Sequence, residues 1–148
     1  MTATSSFLGE TTVTEGTRAA LTERTDAIEE AYEFMLAYAA RGRESDDATD
    51  PEGDVRAFLD RAGNALDGLV EAALAHVQAL GVDARPWRAY LDIVAADAER
   101  ASAALALVLA QPAIGSALID NLNASIHLRS LLTDVFLIDS AFDAATPR

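Results

Sequence analysis

Two histidines and a dispersed set of carboxylates are the side chains of this chain best suited to hold a metal or move a proton. With no cysteine present, thiolate chemistry, iron–sulfur ligation and disulfides are excluded. Toward the C-terminus Asp120, Asn123, His127, Ser130 and Asp134 recur at steps of three and four. On one helix that spacing lines up carboxylate, amide and imidazole donors in a single stripe, the donor types that divalent metals take. The bland alternative is a solvated polar face. His76 falls in register with Ala62 and Leu69 in an apolar seam, which points first to a hydrogen-bonded core histidine and second to a ligand or proton-transfer group. Asp97 and Tyr90 lie beside the apolar stripe of their helix, where partial desolvation of Asp97 is expected, with Arg129 as its expected counter-ion in a structural ion pair.

The carboxylate chemistry that suits a helical bundle is a di-metal site built from two glutamates and two Glu-x-x-His pairs. Neither histidine is part of one: the acid nearest His76 is Glu71, at the wrong spacing, and Ala124 stands where an acid before His127 is needed. A Ser-His-Asp order, a glycine-rich phosphate loop and a heme-attachment motif are also missing. No catalytic residue and no cofactor is therefore assigned. Asp120, Asn123, His127, Asp134, Glu30, Glu33 and His76 stand as the candidate metal ligands.

These residues require long helices to position them. Thr12-Val13-Thr14-Glu15 has the form of a capping box, so a first helix is expected from about residue 12, after a tail over 1–12. Its apolar positions Leu21, Ile28, Ala31, Tyr32, Met35, Tyr38 and Ala39 oppose Glu23, Asp26, Glu30 and Glu33. Gly42 ends it, and an acidic loop over 42–50 leads to Asp50-Pro51, a favourable helix start. Val55, Leu59, Ala62, Leu66, Leu69, Ala73, His76 and Leu80 form an unbroken seam for a second helix stopped by Gly81. Pro86 opens a third, with the stripe Trp87, Leu91, Val94, Ala98, Ala101, Leu105 and Val108 and an alanine-thin remaining surface. A fourth runs from Pro112 or Ser116 to about Phe142. The expected fold is all-α, a single domain over 1–148 forming an antiparallel up-down-up-down four-helix bundle.

The segment Glu30-Ala31-Tyr32-Glu33-Phe34-Met35-Leu36-Ala37-Tyr38-Ala39-Ala40, together with the four-helix length, resembles the small ferritin-like, bacterioferritin-related proteins encoded near proteobacterial carboxysome genes. The resemblance implies a ferritin-like layout that dimerises or assembles further. It lets Glu30 or Glu33 stand for the first-helix glutamate ligand. The Glu-x-x-His positions of that family have no counterpart here, so the implied metal protein is a divergent one with a degenerate or lost di-metal site.

Net charge is -13 and every basic residue is arginine. Such a charge disfavours nucleic acid and anionic membrane as partners. It leaves the acidic face of Glu23, Asp26, Glu29, Glu30 and Glu33 as either solvated surface or a dock for a basic protein segment. The N-terminal residues lack the basic and apolar runs of a signal peptide, which suggests the cytoplasm. The last helix is apolar around more than one face, and Leu131, Val135, Phe136, Leu137 and Ile138 are the expected interface of a homodimer or larger assembly. The function these features favour is a non-enzymatic assembly or adaptor protein that self-associates. Protein purified with iron or manganese present and then desalted should retain less than one metal equivalent by elemental analysis, because a two-metal site needs about six ligands.

Overall fold

A computed structural model describes residues 2–47 and 54–146, with residues 2–11 as backbone alone. It is all-helical, and among the described residues there is no strand. Among the described residues six helices appear where four were expected: α1 (Thr2–Ala39), α2 (Val55–Leu66), α3 (Leu69–Leu80), α4 (Ala84–Leu109), α5 (Ser116–Ala124) and α6 (Ile126–Ala145). None is long and apolar enough to cross a membrane among the described residues.

The apolar periodicity places the core as expected. Leu21, Ile28, Ala31, Met35 and Tyr38 of α1 are buried, as are Leu91, Val94, Ala98, Ala101, Leu105 and Val108 of α4. α1 packs on α2, α3 and α5, while α4 packs on α6 and on the other side of α2 and α3. The expected capping box at Thr12 lies inside α1 rather than at its start. A Thr-x-x-Glu sequence caps only where the preceding chain has left helical conformation, and here residues 2–11 are helical. The proposed start at Asp50-Pro51 lies outside the described residues; within them Asp54 caps α2, accepting from the Arg56 N–H at 3.0 Å. Asp83 caps α4 in the same way, so that helix starts at Ala84, two residues before the expected start at Pro86.

The expected second helix is broken at Asp67-Gly68. Gly68 has φ +118°, a conformation that favours glycine. The Arg24 guanidinium fills the break, its Nη1 donating to the carbonyls of Asn64, Ala65 and Asp67 at 3.1, 3.2 and 3.1 Å. Those are orphan acceptors at the end of α2, and a cation satisfies both their hydrogen bonding and the helix dipole. The apolar seam nevertheless continues across the break, with Leu66 and Leu69 both buried. Periodicity alone therefore gave no sign of it.

The last expected helix is interrupted at Ser125, whose backbone is extended (φ -60°, ψ 128°). Residues 43–46, expected as part of an exposed acidic loop, are instead tied to the start of α5. Asp46 accepts from Arg56 Nε at 2.6 Å and from the Ile114 N–H at 2.8 Å. Arg56 also donates to the Leu109 and Gln111 carbonyls at the end of α4. The Ser116 N–H donates to the Arg43 carbonyl, Ser116 Oγ donates to the Tyr38 carbonyl, and Tyr38 Oη donates to the Ile114 carbonyl at 2.6 Å. The chains run so close here that a Cβ on Gly115 would lie 2.8 Å from the Glu44 carbonyl oxygen.

The Arg56 guanidinium, and then the Ile114 N–H, hold the Asp46 carboxyl below its ordinary range. A depressed folded-state value contributes stability that is complete above the unfolded pKa of about 4 and is lost as pH falls through the lower folded value. Asp46→Ala should cost about 1–3 kcal/mol in urea unfolding at pH 7, since it orphans a buried N–H and a guanidinium. The difference from wild type should shrink toward zero as the pH is taken well below 4.

Candidate functional site

The candidate metal ligands are not gathered in one place. Glu30, Glu33, Asp120 and His127 are exposed, Asn123 is buried, and His76 lies on α3. Among the described residues no group of three or more His, Asp or Glu side chains is placed to hold a metal ion. The proposed ligand stripe fails because the helix it needs is interrupted at Ser125, which separates Asp120 and Asn123 on α5 from His127 and Asp134 on α6. Of the expected interface, Leu131, Val135 and Ile138 are consumed by the chain's own core, at most 2% exposed. Phe136 and Leu137 remain 56% and 53% exposed.

Asp134 is the group whose environment departs furthest from the solvated-face reading. It is 7% exposed and accepts from Tyr90 Oη at 3.0 Å. Its other neighbour is the Asp97 carboxylate, within hydrogen-bonding reach across the α4/α6 seam. With both acids ionised Asp134 Oδ2 has no donor; a proton on it supplies one, donated to Asp97. Burial first, and then Asp97, push Asp134 up to about 7, against the opposing pull of the Tyr90 hydroxyl. Burial and the Asp134 carboxylate push Tyr90 up to about 12 in turn. Arg129, the expected counter-ion, does not pair with Asp97; Arg100, one turn along α4, does so at 3.3 Å.

Asp97 and Asp134 line an open cleft of about 570 Å³ between α4 and the α5–α6 junction. Arg129, Ser130 and Thr133 of α6 line it, with Ala124 and Ile126 on either side of the Ser125 break. Tyr90 also walls a smaller apolar groove of about 230 Å³, formed with Pro86, Trp87, Leu137, Ile138 and Ala141.

A second polar pocket surrounds His76, which is 1% exposed. The Thr17 hydroxyl donates to the Thr14 carbonyl at 3.0 Å, so its oxygen accepts from His76 Nδ1–H at 2.8 Å, leaving the lone pair on Nε2. His76 meets the edge of the Phe142 ring at 4.6 Å, the Arg18 guanidinium lies 5.5 Å from that ring's centroid, and Trp87 stacks on it at 4.2 Å. Burial, and then Arg18, lower the His76 pKa, so the ring is neutral near pH 7. This is a hydrogen-bonded core histidine in an aromatic cluster. Thr17 and Arg18 carried no sequence signal, because their partners lie on α3 and α6.

Compared with known proteins, the chain matches no protein-family model, no curated protein and no solved structure.

Asp134 has a raised folded-state pKa, so between about pH 4 and 7 the folded chain holds a proton that the unfolded chain has released. Stability from this group therefore falls as pH rises through that window. In urea titrations Asp134→Asn should flatten the pH dependence, and it should be more stable than wild type at pH 8 relative to the comparison at pH 4.5. Parallel profiles would show that Asp134 carries no extra proton.

Proposed function

We propose that this chain is a non-enzymatic helical assembly or adaptor protein of the cytoplasm that acts by self-association. In this reading α2 with α3, and α5 with α6, are two interrupted legs of an antiparallel four-legged bundle whose other legs are α1 and α4. The C-terminal half of α6 is its contact surface, and a second copy of the chain is the occupant.

The observation that carries this reading is a stretch of α6 that is apolar and free of exposed, unpaired carboxylate. Thr133, Leu137, Ser140 and Ala144 follow one another at steps of four, three and four on the side away from the core, and Phe136 widens the stripe. The acids of this half, Asp139 and Asp143, are drawn aside toward Arg18 at 3.5 and 3.3 Å. By contrast the outward side of α1 carries Glu23, Asp26, Glu30 and Glu33, all exposed. In a chain of net charge -13 two copies repel almost everywhere except where neither presents a carboxylate. A two-fold axis through the α6 stripe sets that uncharged surface against itself.

Packing supports the same choice. Ser140, Ala141 and Ala144 are small enough to let a second helix approach, and the groove between Trp87, Tyr90 and Leu137 offers a recess beside it. Ile93, three residues on from Tyr90 and 53% exposed, extends the apolar rim on α4. Burying one large apolar side chain contributes roughly 1.5–3 kcal/mol, so Phe136, Leu137 and Ile93 on each of two copies offset a substantial association cost. The reading of a divergent ferritin-like metal protein rests only on the α1 segment and the helical layout.

Light scattering should find a dimer or larger species, with association strengthened by salt as the repulsion between acidic copies is screened. Leu137→Glu should shift the protein to monomer at low salt with its helical circular dichroism intact, because this side chain already faces solvent. A wild type that is monomeric at every salt concentration would defeat the proposal.

A further inference from the structure

The cleft over the acid pair lies on the N-terminal half of α6 and adjoins the self-association stripe at Thr133, and its lining has features that packing within the chain does not use. Asp134 is buried, yet its Oδ2 finds no donor unless a proton is added. Arg129 lines the same cleft, exposed, with no carboxylate partner among the described residues, in a chain that has 24 acids to offer. Ile126, also at the cleft, is 70% exposed, more than any other large apolar side chain among the described residues. Carboxylates, a guanidinium and apolar surface therefore line one cleft. Arg129 and Asp134 are five residues apart on α6, roughly 7.5 Å along the helix axis at 1.5 Å per residue.

We propose that this cleft binds a zwitterion whose ammonium and carboxylate groups are several bonds apart, with Asp97 and Asp134 holding the ammonium and Arg129 holding the carboxylate. The ammonium supplies the donor that Asp134 Oδ2 lacks, and two carboxylates plus Arg100 around it bring the local charge close to balance. The guanidinium of Arg129 meets the carboxylate in a forked, charge-assisted contact. The methylene chain covers Ala124 and Ile126, removing apolar surface from water. Short α-amino acids cannot span the two charged ends, and simple amines or simple acids reach only one of them. Because an ammonium and a shared proton compete for the same oxygens, binding at neutral pH expels a proton. The titratable groups that reach Asp134 are Asp97 and Tyr90 of α4.

Isothermal titration calorimetry with 6-aminohexanoate, hexylamine, hexanoate and glycine separates these cases. The zwitterion should bind, with hexylamine and hexanoate each weaker by about tenfold or more, as loss of one charge-assisted contact implies. Glycine should bind no better than either. Arg129→Gln, a change at an exposed position, should lower 6-aminohexanoate affinity to that of hexylamine, and Asp97→Asn should lower it to that of hexanoate. Titrations in two buffers of different ionisation enthalpy should reveal proton release for the wild type. Absence of 6-aminohexanoate binding, equal affinity for hexylamine, or an unaltered Arg129→Gln variant would each overturn the proposal. Amide chemical-shift changes confined to residues away from Ala124, Ile126 and Thr133 would overturn it as well.

Discussion

The contact between Asp46 and Arg56 ties the chain between α1 and α2 to the chain between α4 and α5, more than 50 residues away. One carboxylate accepts from the start of α2 and from the backbone just before α5, and one guanidinium reaches the last carbonyls of α4. With Tyr38 and Ser116 alongside, the end of α1 is bound to the same point. α5 spans the nine residues from Ser116 to Ala124, between this knot and the Ser125 break. The break in turn places Asp134 opposite Asp97 and Tyr90.

Two arginines finish backbone hydrogen bonding at helix ends. Arg24 satisfies carbonyls at the end of α2, and Arg56 those at the end of α4. Lysine, a compact charge on a flexible stem, does not present the several fixed donors that this role needs. Other guanidiniums lie over rings, as Arg61 does over Phe58 at 4.9 Å and Arg18 over Phe142. Against this background, a guanidinium that lines a cleft without a partner carries information.

α6 divides its outward surface between two uses. Near its start the polar cleft faces solvent; farther along, the surface becomes small and apolar and the carboxylates turn toward Arg18. The inner side is uniform throughout, with Leu128, Leu131, Val135, Ile138 and Phe142 all buried. The breadth of apolar character in this helix therefore has two sources. Most of the large residues fill the core, and a minority, Phe136 and Leu137 among them, remain outside it.

The sequence by itself determined the helical class and most of the core positions, because 3.6-residue periodicity is a local property of the chain; the caps it offered at Thr12 and Asp50 are not the ones the structure uses at Asp54 and Asp83. It also marked Asp97, Tyr90 and His76 as unusual, since each falls on or beside an apolar stripe. It could not show the breaks at Gly68 and Ser125, because an apolar seam runs through the first and a polar stripe through the second without change of period. Partners were equally hidden: Asp134 read as a solvated acid until α4 was laid against it, and Arg129 read as the counter-ion of Asp97 until Arg100 was found there. Only the tertiary structure decided which carboxylates lost water and which arginines were left unpaired, since desolvation and ion pairing depend on what another helix brings to within a few ångströms.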